Sequence, residues 1–304
     1  MRSPDLTSCV GAVELRSPVL TAAGTSGYGD ELAGYGDLRA LGGVVTKSLA
    51  NFAWRGNSPP RVAASGEHML NAVGLAGPGV AAWRENDLEP LVARRATVVG
   101  SIWGRNVEEF GDAARAMRGA KIVALEVNAS CPNLEDRSRI FAHSSSATGD
   151  VVAACREADV PLWVKLSPNT PDLVAIAGAA LEAGAQALVL VNTVLGLEID
   201  VERRRPALGH GGGGVSGPGI LPVALRAVYD CRAAFPHAPI VGVGGVSTGR
   251  DAIAMIMAGA NAVQVGTATF ANPRAPWLIQ AAMTKWLRRH GVAGLDEIRG
   301  VAHG

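Results

Sequence analysis

The segment Ile122-Val123-Ala124-Leu125 is an unbroken apolar run, and runs of this kind decide the fold of the chain. Strands with one solvent-facing side alternate apolar and polar residues, whereas strands buried on both faces are apolar throughout. Comparable runs recur along the whole sequence. They span Pro18–Ala23, Gly43–Lys47, Thr97–Ile102, Ile122–Asn128, Pro161–Leu166, Ala187–Asn192, Pro239–Gly244 and Ala262–Gly266. The pattern predicts eight buried, parallel strands.

Ala- and Leu-rich segments with helical spacing separate these runs. The clearest are Asp172–Ala183, Leu221–Ala234 and Thr248–Ala258. Ser247-Thr248 and Thr170-Pro171 predict helix starts, with Pro171 in a first turn. Eight strands alternating with helices over 304 residues favour a single (β/α)8 TIM-barrel domain over residues 1–304. An open, doubly wound sheet is the alternative.

Composition excludes several function classes. Lys and Arg number 28 against 27 Asp and Glu, so no net field attracts nucleic acid or an acidic membrane surface. The chain has neither a signal-peptide pattern nor an apolar run of membrane-spanning length, so we expect a cytoplasmic protein. The four cysteines are far apart without a CxxC pair, which argues against a zinc or iron–sulfur site on this chain.

Polar side chains stand at the ends of several predicted strands. Lys47, Asn128 and Asn192 end the second, fourth and sixth strands, and Lys165 lies near the end of the fifth. In a TIM barrel the carboxyl ends of the strands form the active site. A desolvated lysine there costs free energy unless an anion or strong acceptor pairs with it. We therefore expect an anionic ligand; lysines reaching solvent at the rim are the alternative.

Two long segments interrupt the alternation. Asn51–Glu89 follows the second strand, and Leu195–Gly219 follows the sixth. Long loops in compact domains are usually functional, and in a barrel both would cover the C-terminal face.

Glycines cluster after the last two strands, in Gly242-Val243-Gly244-Gly245 and Gly266-Thr267. Loops at these positions of many barrels cradle a phosphate through backbone N–H groups. The pattern indicates a phosphate-bearing ligand without separating a flavin from a sugar phosphate. Ordinary tight turns are the alternative.

Cys131 differs from the other cysteines in its surroundings. It lies in the polar segment Asn128-Ala129-Ser130-Cys131-Pro132-Asn133 directly after the fourth strand, and this position indicates a reactive thiol. Cys9, Cys155 and Cys231 lie in more apolar stretches, and we interpret them as structural.

Taken in order, these motifs resemble the class 1 dihydroorotate dehydrogenases, most closely the catalytic FMN subunit of the B subclass. The resemblance extends over most of the chain. The matching segments are residues 25–29, 46–48, 57–61, 69–75, 128–133, 164–168, 191–193, 213–218, 242–246 and 265–268.

The resemblance implies an FMN at the C-terminal face, with Lys165 at its pyrimidine edge. The residues implied to bind the cofactor are Ala23, Gly24, Lys47, Ser48, Ser101, Asn128, Lys165, Val191, Gly217, Gly244, Gly245, Gly266 and Thr267. Those implied to bind the substrate are Lys47, Asn71, Val73, Gly74, Leu75, Asn128, Asn133, Asn192 and Thr193. No metal is implied.

The implied reaction is oxidation of (S)-dihydroorotate to orotate in UMP biosynthesis. A hydride leaves C6 for FMN N5, and Cys131 takes the C5 proton as general base. A homodimer is also implied. In the B subclass a separate iron–sulfur/FAD subunit carries the electrons to NAD, whereas the A subclass uses fumarate.

Two other functions stay open at this stage. Residues 134–143 differ from the usual B-subclass loop, which allows an FMN-dependent oxidoreductase of another dihydropyrimidine or a specialised metabolite. The basic residues Arg137, Arg139 and His143, with Lys47, weakly favour a substrate carboxylate. The other alternative is a flavin-free, phosphate-binding barrel isomerase.

Overall fold

The structure, a computed structural model, describes residues 4–130 and 141–304. Its strands are β1 (Ser8–Val10), β2 (Val13–Leu15), β3 (Val19–Thr21), β4 (Val44–Val45), β5 (Val62–Ser65), β6 (His68–Asn71), β7 (Val98–Ile102), β8 (Ala124–Asn128), β9 (Leu162–Leu166), β10 (Ala187–Leu190), β11 (Val194–Gly196), β12 (Ile199–Asp200), β13 (Arg205–Pro206), β14 (Gly213–Ser216), β15 (Ile240–Val243) and β16 (Ala262–Val265). Its α-helices are α1 (Val80–Asn86), α2 (Leu88–Ala93), α3 (Val107–Met117), α4 (Ser145–Ala154), α5 (Leu173–Glu182), α6 (Leu221–Ala234), α7 (Gly249–Met257), α8 (Ala268–Ala271) and α9 (Ala275–His290). Short 3-10 helices span Glu31–Gly34, Leu38–Ala40, Phe141–His143, Cys155–Glu157, Pro218–Ile220, Leu295–Glu297 and Val301–His303.

Eight parallel strands form the central sheet in the order β3-β16-β15-β10-β9-β8-β7-β4. The two end strands meet, because Thr21 N donates to Gly43 O at 3.0 Å and Gly42 N donates to Val19 O at 2.8 Å. The sheet therefore closes on itself, which confirms the (β/α)8 TIM barrel and removes the open, doubly wound alternative.

Each predicted run contains one barrel strand, shortened by at most two residues at either end. Apolar character alone therefore does not mark the strand ends. The prediction was wrong at α5, because the helix begins at Leu173 with Asp172 as its N-cap, and Pro171 precedes the first turn. At α7, Thr248 caps the helix: its hydroxyl accepts from Asp251 N, and the Asp251 carboxylate accepts from Thr248 N.

The barrel interior is apolar at its N-terminal end, where the β1–β2 hairpin packs against it through Val10, Val13 and Leu15. Cys9 alternates outward on β1 and is exposed, so its interpretation as a structural cysteine was wrong. Cys155 and Cys231 are buried, and burial raises the pKa of each thiol to about 12, with Asp230 adding to the effect at Cys231.

The two long segments form a second sheet at the C-terminal end of the barrel. It is antiparallel, in the order β11-β14-β6-β5, and its central register pairs Gly214 with Asn71. The sequence predicted loops here. The pairing of β6 with β14, which joins the two segments into one sheet, has no local pattern because these strands lie about 140 residues apart in the chain.

Candidate active site

A cavity of about 1060 Å³ lies between the carboxyl ends of the barrel strands and the antiparallel sheet. This volume is at the upper end of the usual range for small-molecule sites, roughly 300–1,000 Å³. Predicted site residues that line it are Ala23, Gly24, Lys47, Ser48, Asn71, Val73, Gly74, Leu75, Asn128, Lys165, Val191, Asn192, Thr193, Gly217, Gly244, Gly245, Gly266 and Thr267. Two further predicted site residues, Cys131 and Asn133, lie outside the described residues.

Ser101 is the predicted cofactor residue that the structure places elsewhere. It is fully buried and does not line the cavity. Its hydroxyl forms a hydrogen bond of 2.9 Å with the hydroxyl of Ser48, which does line the cavity. Ser101 therefore lies one layer behind the wall and fixes the orientation of Ser48.

A chain of hydrogen-bonded side chains orders the amides on one side of the cavity. Asn128 Nδ2 donates to Ser48 Oγ at 3.2 Å, and Asn128 Oδ1 accepts from Ser130 Oγ at 2.9 Å. Asn192 Nδ2 in turn donates to Ser130 Oγ at 2.7 Å. Each Asn presents both a donor and an acceptor, so the set suits a ring with alternating C=O and N–H groups. Ser130 was not predicted as a site residue, although it stands in the motif beside Cys131.

The opposite wall contains a backbone turn over residues 72–76. Four of its carbonyls accept hydrogen bonds from outside the turn: Ala72 O from Asn57 Nδ2 at 3.0 Å, Val73 O from Asn57 N at 3.1 Å, Gly74 O from Trp54 Nε1 at 3.0 Å and Ala76 O from Tyr28 Oη at 2.5 Å. Gly74 and Leu75 have φ values of +70° and +59°. Consecutive residues in such turn conformations form concavities that bind anions through N–H groups.

Trp54 is itself fixed by a cluster that extends to the protein surface. The Arg105 guanidinium lies 5.5 Å from the centre of the Trp54 ring and 4.7 Å from that of Phe52. Arg105 also binds the Glu109 carboxylate through its side chain and its backbone N–H. Burial alone would raise the pKa of Glu109, but these hydrogen bonds and the Arg105 charge lower it overall. Trp54 was not predicted from the sequence, because an aromatic residue in a loop carries no local sign of such a contact.

The glycines after β15 meet the start of α6. Gly244 and Gly245 have φ values of +123° and +76°, and a Cβ on Gly245 would lie 2.6 Å from Leu221 N. Gly217, with φ of +104°, precedes the 3-10 turn that leads into α6. Only glycine satisfies both the backbone angle and this close approach. The N-terminus of α6 therefore lies beside two glycine-containing loops, an arrangement that is typical of phosphate sites.

Two lysines supply positive charge to the cavity. The Lys47 stem crosses Gly24, where a Cβ would lie 3.1 Å from Lys47 Cδ. Lys165 is buried, and its Nζ lies 3.7 Å from Oε1 of Glu126, a carboxylate inside the barrel. Gln264 Nε2 donates to the other oxygen of Glu126 at 2.7 Å. Glu126 and Gln264 were not predicted, because each stands inside a strand and interrupts an otherwise apolar run.

Residues 4–130 and 141–304 contain neither a metal-binding cluster nor a membrane-spanning helix. Within these ranges no three His, Cys, Asp or Glu side chains are grouped so that they could hold a metal ion. Among the helices described there, none is long and apolar enough to cross a membrane.

At one face of the closed parallel barrel, two lysines, ordered amides and glycine-lined loops share a cavity at the carboxyl ends of the strands, which is the arrangement of a TIM-barrel enzyme. The family model for dihydroorotate dehydrogenase matches residues 5–287. The chain belongs to the dihydroorotate dehydrogenase family.

Similar proteins include three bacterial proteins named dihydroorotate dehydrogenase B (NAD(+)), catalytic subunit. That of Pelobacter propionicus is 43% identical over 98% of both chains. That of Geotalea uraniireducens is 41% identical over 99% of both, and that of Alkaliphilus metalliredigens is 42% identical over 96% of both.

Proposed function

We propose that this chain is the FMN-binding catalytic subunit of a dihydroorotate dehydrogenase and oxidises (S)-dihydroorotate to orotate in pyrimidine biosynthesis. One observation carries the proposal: a single cavity combines the buried Lys165, the ordered amides, the 72–76 turn and the glycine cradle. The family model and the names of the relatives support it.

The described residues fit FMN, as expected for a family of flavoproteins. The cavity exceeds the volume of a single small ring, and its glycine end suits a phosphate. In the proposal Gly217, Gly244, Gly245, Gly266 and Thr267 hold the phosphate, while Lys165 faces the pyrimidine side of the flavin. When bound, the flavin supplies the acceptor for the hydride removed from the substrate.

The chain's own residues bind the substrate and accept the proton that it loses from C5. The N–H groups of residues 73–75, together with Lys47, bind the carboxylate. Asn71, Asn128, Asn192 and Thr193, with Asn133, hold the ring through hydrogen bonds. Cys131 removes the proton from C5 as general base. Ordered amides reduce the entropy lost on binding, since Asn128 and Asn192 are already fixed through Ser130.

Electrons must leave the flavin after each turnover. The relatives are named catalytic subunits of an NAD(+) enzyme, which implies a second subunit for those proteins. We propose that this chain likewise pairs with an iron–sulfur/FAD subunit, around a homodimeric core of single-domain barrels. Co-expression with such a subunit should confer NAD reduction that the isolated chain lacks.

The decisive experiment is anaerobic mixing of the purified holoenzyme with dihydroorotate, followed at the flavin absorbance band. Bleaching is the expected result. If dihydrouracil bleaches the flavin and dihydroorotate does not, the substrate is a different dihydropyrimidine. A colourless protein that cannot be reconstituted with FMN would overturn the proposal in favour of a flavin-free barrel enzyme.

Trp54→Phe is expected to raise the KM for dihydroorotate and the Kd for orotate by about 5- to 10-fold. The substitution keeps the aromatic ring but removes the donor to Gly74 O, a net loss of ~1–1.5 kcal/mol for a typical hydrogen bond. The flavin and kcat should change little, because the turn binds the carboxylate and not the reacting atoms. Steady-state kinetics and orotate titration measure these values. Trp286→Phe, on the outer helix α9, is the matched control, and equal effects of the two changes would remove Trp54 from substrate binding.

A further inference from the structure

Glu126 is a carboxylate enclosed inside the barrel, with no exposed surface. Its Oε2 accepts a hydrogen bond from Gln264 Nε2 at 2.7 Å. Its Oε1 has no hydrogen-bond partner within the described part of the chain, and lies 3.7 Å from Lys165 Nζ. The mechanism proposed above uses Lys165 but assigns nothing to Glu126.

The strand register fixes the order of these groups along the barrel axis. Glu126 pairs with Trp163 across β8 and β9, and Asn128 pairs with Lys165. Side chains two residues apart on a strand point to the same face, so Glu126 lies one layer deeper than Asn128. Lys165 lines the cavity and Glu126 does not. The sequence of groups is therefore cavity, ammonium, carboxylate.

A charge in such an interior requires a partner. Transfer of an isolated ion from water into an apolar interior is so costly that the group gives up its charge instead. The side chain of Lys165 is only 6% exposed, and Glu126 is the acidic group that forms an ion pair with it among residues 4–130 and 141–304. The Glu126 carboxylate compensates the Lys165 ammonium on the side away from the cavity, so the other side of the ammonium faces the cavity.

We propose that Glu126 is a positioning residue that holds the Lys165 ammonium against the pyrimidine side of the flavin, and thereby favours flavin reduction. The inference rests on the proposed function, since it requires a flavin in the cavity. Glu126 touches neither cofactor nor substrate, and acts only through Lys165.

The test is the flavin midpoint potential of four holoenzymes at one pH: wild type, Glu126→Gln, Lys165→Met and the double variant. Loss of the ammonium withdraws positive charge from the reduced flavin, so Lys165→Met lowers the potential. Glu126→Gln should lower it as well, because the Lys165 ammonium loses the anion that holds it in position toward the cavity. In the Lys165→Met background the same change should raise the potential, because only a negative charge is then removed. This reversal of sign is the expected result.

A rise in both backgrounds would overturn the inference, since Glu126 would then act only through its own field. An unchanged potential in Glu126→Gln would overturn it too. Glu14→Gln is the matched control, because Glu14 is exposed on the hairpin at the far end of the barrel, and it should leave the potential unchanged. Glu126→Asp keeps the charge and should retain a potential nearer to that of wild type.

A second measurement does not depend on the flavin. In thermal unfolding of the flavin-free full-length chain, each single variant leaves one buried group without its partner and should lower the midpoint temperature. The double variant should recover most of that loss. Additive losses would overturn the ion pair even if Glu126→Gln binds no flavin. If the wild-type chain takes up no flavin, but the double variant recovers the midpoint temperature, the proposed function is overturned and the ion pair is not.

Discussion

Replacement of Cys131 by alanine is expected to slow reduction of the bound flavin by dihydroorotate by about 10²- to 10⁴-fold, the usual contribution of a general base. Cys131 follows Ser130 directly in the sequence, and Ser130 lines the cavity between Asn128 and Asn192. The substitution removes the proton acceptor without touching the described residues proposed to hold the flavin. Rapid mixing under anaerobic conditions, with the absorbance of the flavin as signal, measures the rate.

The flavin content of Cys131→Ala should equal that of wild type, which separates a lost base from a damaged site. Cys9→Ala is the matched control, because Cys9 is exposed on the hairpin at the opposite end of the barrel. Near-normal reduction by Cys131→Ala would remove Cys131 from the mechanism and direct attention to the other polar groups of the cavity.

Gly245→Ala is expected to give a protein that is isolated largely without flavin, with FMN affinity reduced tenfold or more, about 1.4 kcal/mol. The new Cβ would lie 2.6 Å from Leu221 N and 2.7 Å from Leu221 Cβ. Because these atoms belong to the start of α6, the loop and the helix must separate, and the proposed phosphate cradle opens. Absorbance after purification and titration with FMN measure the loss.

The φ value of +76° at Gly245 adds a conformational cost of its own, roughly 1 kcal/mol for alanine. Gly119→Ala controls for this cost, since Gly119 has φ of +67° and a Cβ there meets nothing within 4 Å. Gly119→Ala should lose a similar amount of stability and stay yellow. Full flavin occupancy in Gly245→Ala would show that the cradle does not hold the phosphate.

Local sequence patterns predicted the barrel because each strand carries its own evidence. A segment such as Ile122–Asn128 is buried on both faces wherever it pairs, so its apolar run already indicates a parallel strand. Boundaries were less accurate: β10 ends at Leu190, although Val191 continues the apolar run and its N–H donates to Val243 O at 2.7 Å. The start of α5 was also predicted too early: proline suits a first helical turn, but Asp172 is the N-cap and Pro171 precedes the helix.

Strand-end positions predicted Lys47, Asn128, Lys165 and Asn192, and glycine spacing predicted the loops after β15 and β16, whereas the other site residues were implied by the family resemblance. Several of the missed residues contact partners that are not neighbours in the chain. Glu126 meets Gln264 from 138 residues away, and Trp54 reaches Gly74 from a separate loop. Ser101 stays a prediction from the resemblance: it is buried behind the cavity wall, and its hydroxyl forms a hydrogen bond with that of Ser48. Three-dimensional pairing of this kind has no periodic pattern in the sequence.

The antiparallel sheet at the barrel mouth also constrains how this enzyme can evolve. Asn71 faces the cavity because β6 is aligned with β14, and a shift of one residue in either strand would turn Asn71 outward. An insertion in one of the two long segments must therefore be compensated in the other, which is encoded more than a hundred residues away. New substrate preferences should therefore arise by exchange of both long segments together. A chimera that takes only one of them from a related enzyme should form neither parent's pocket.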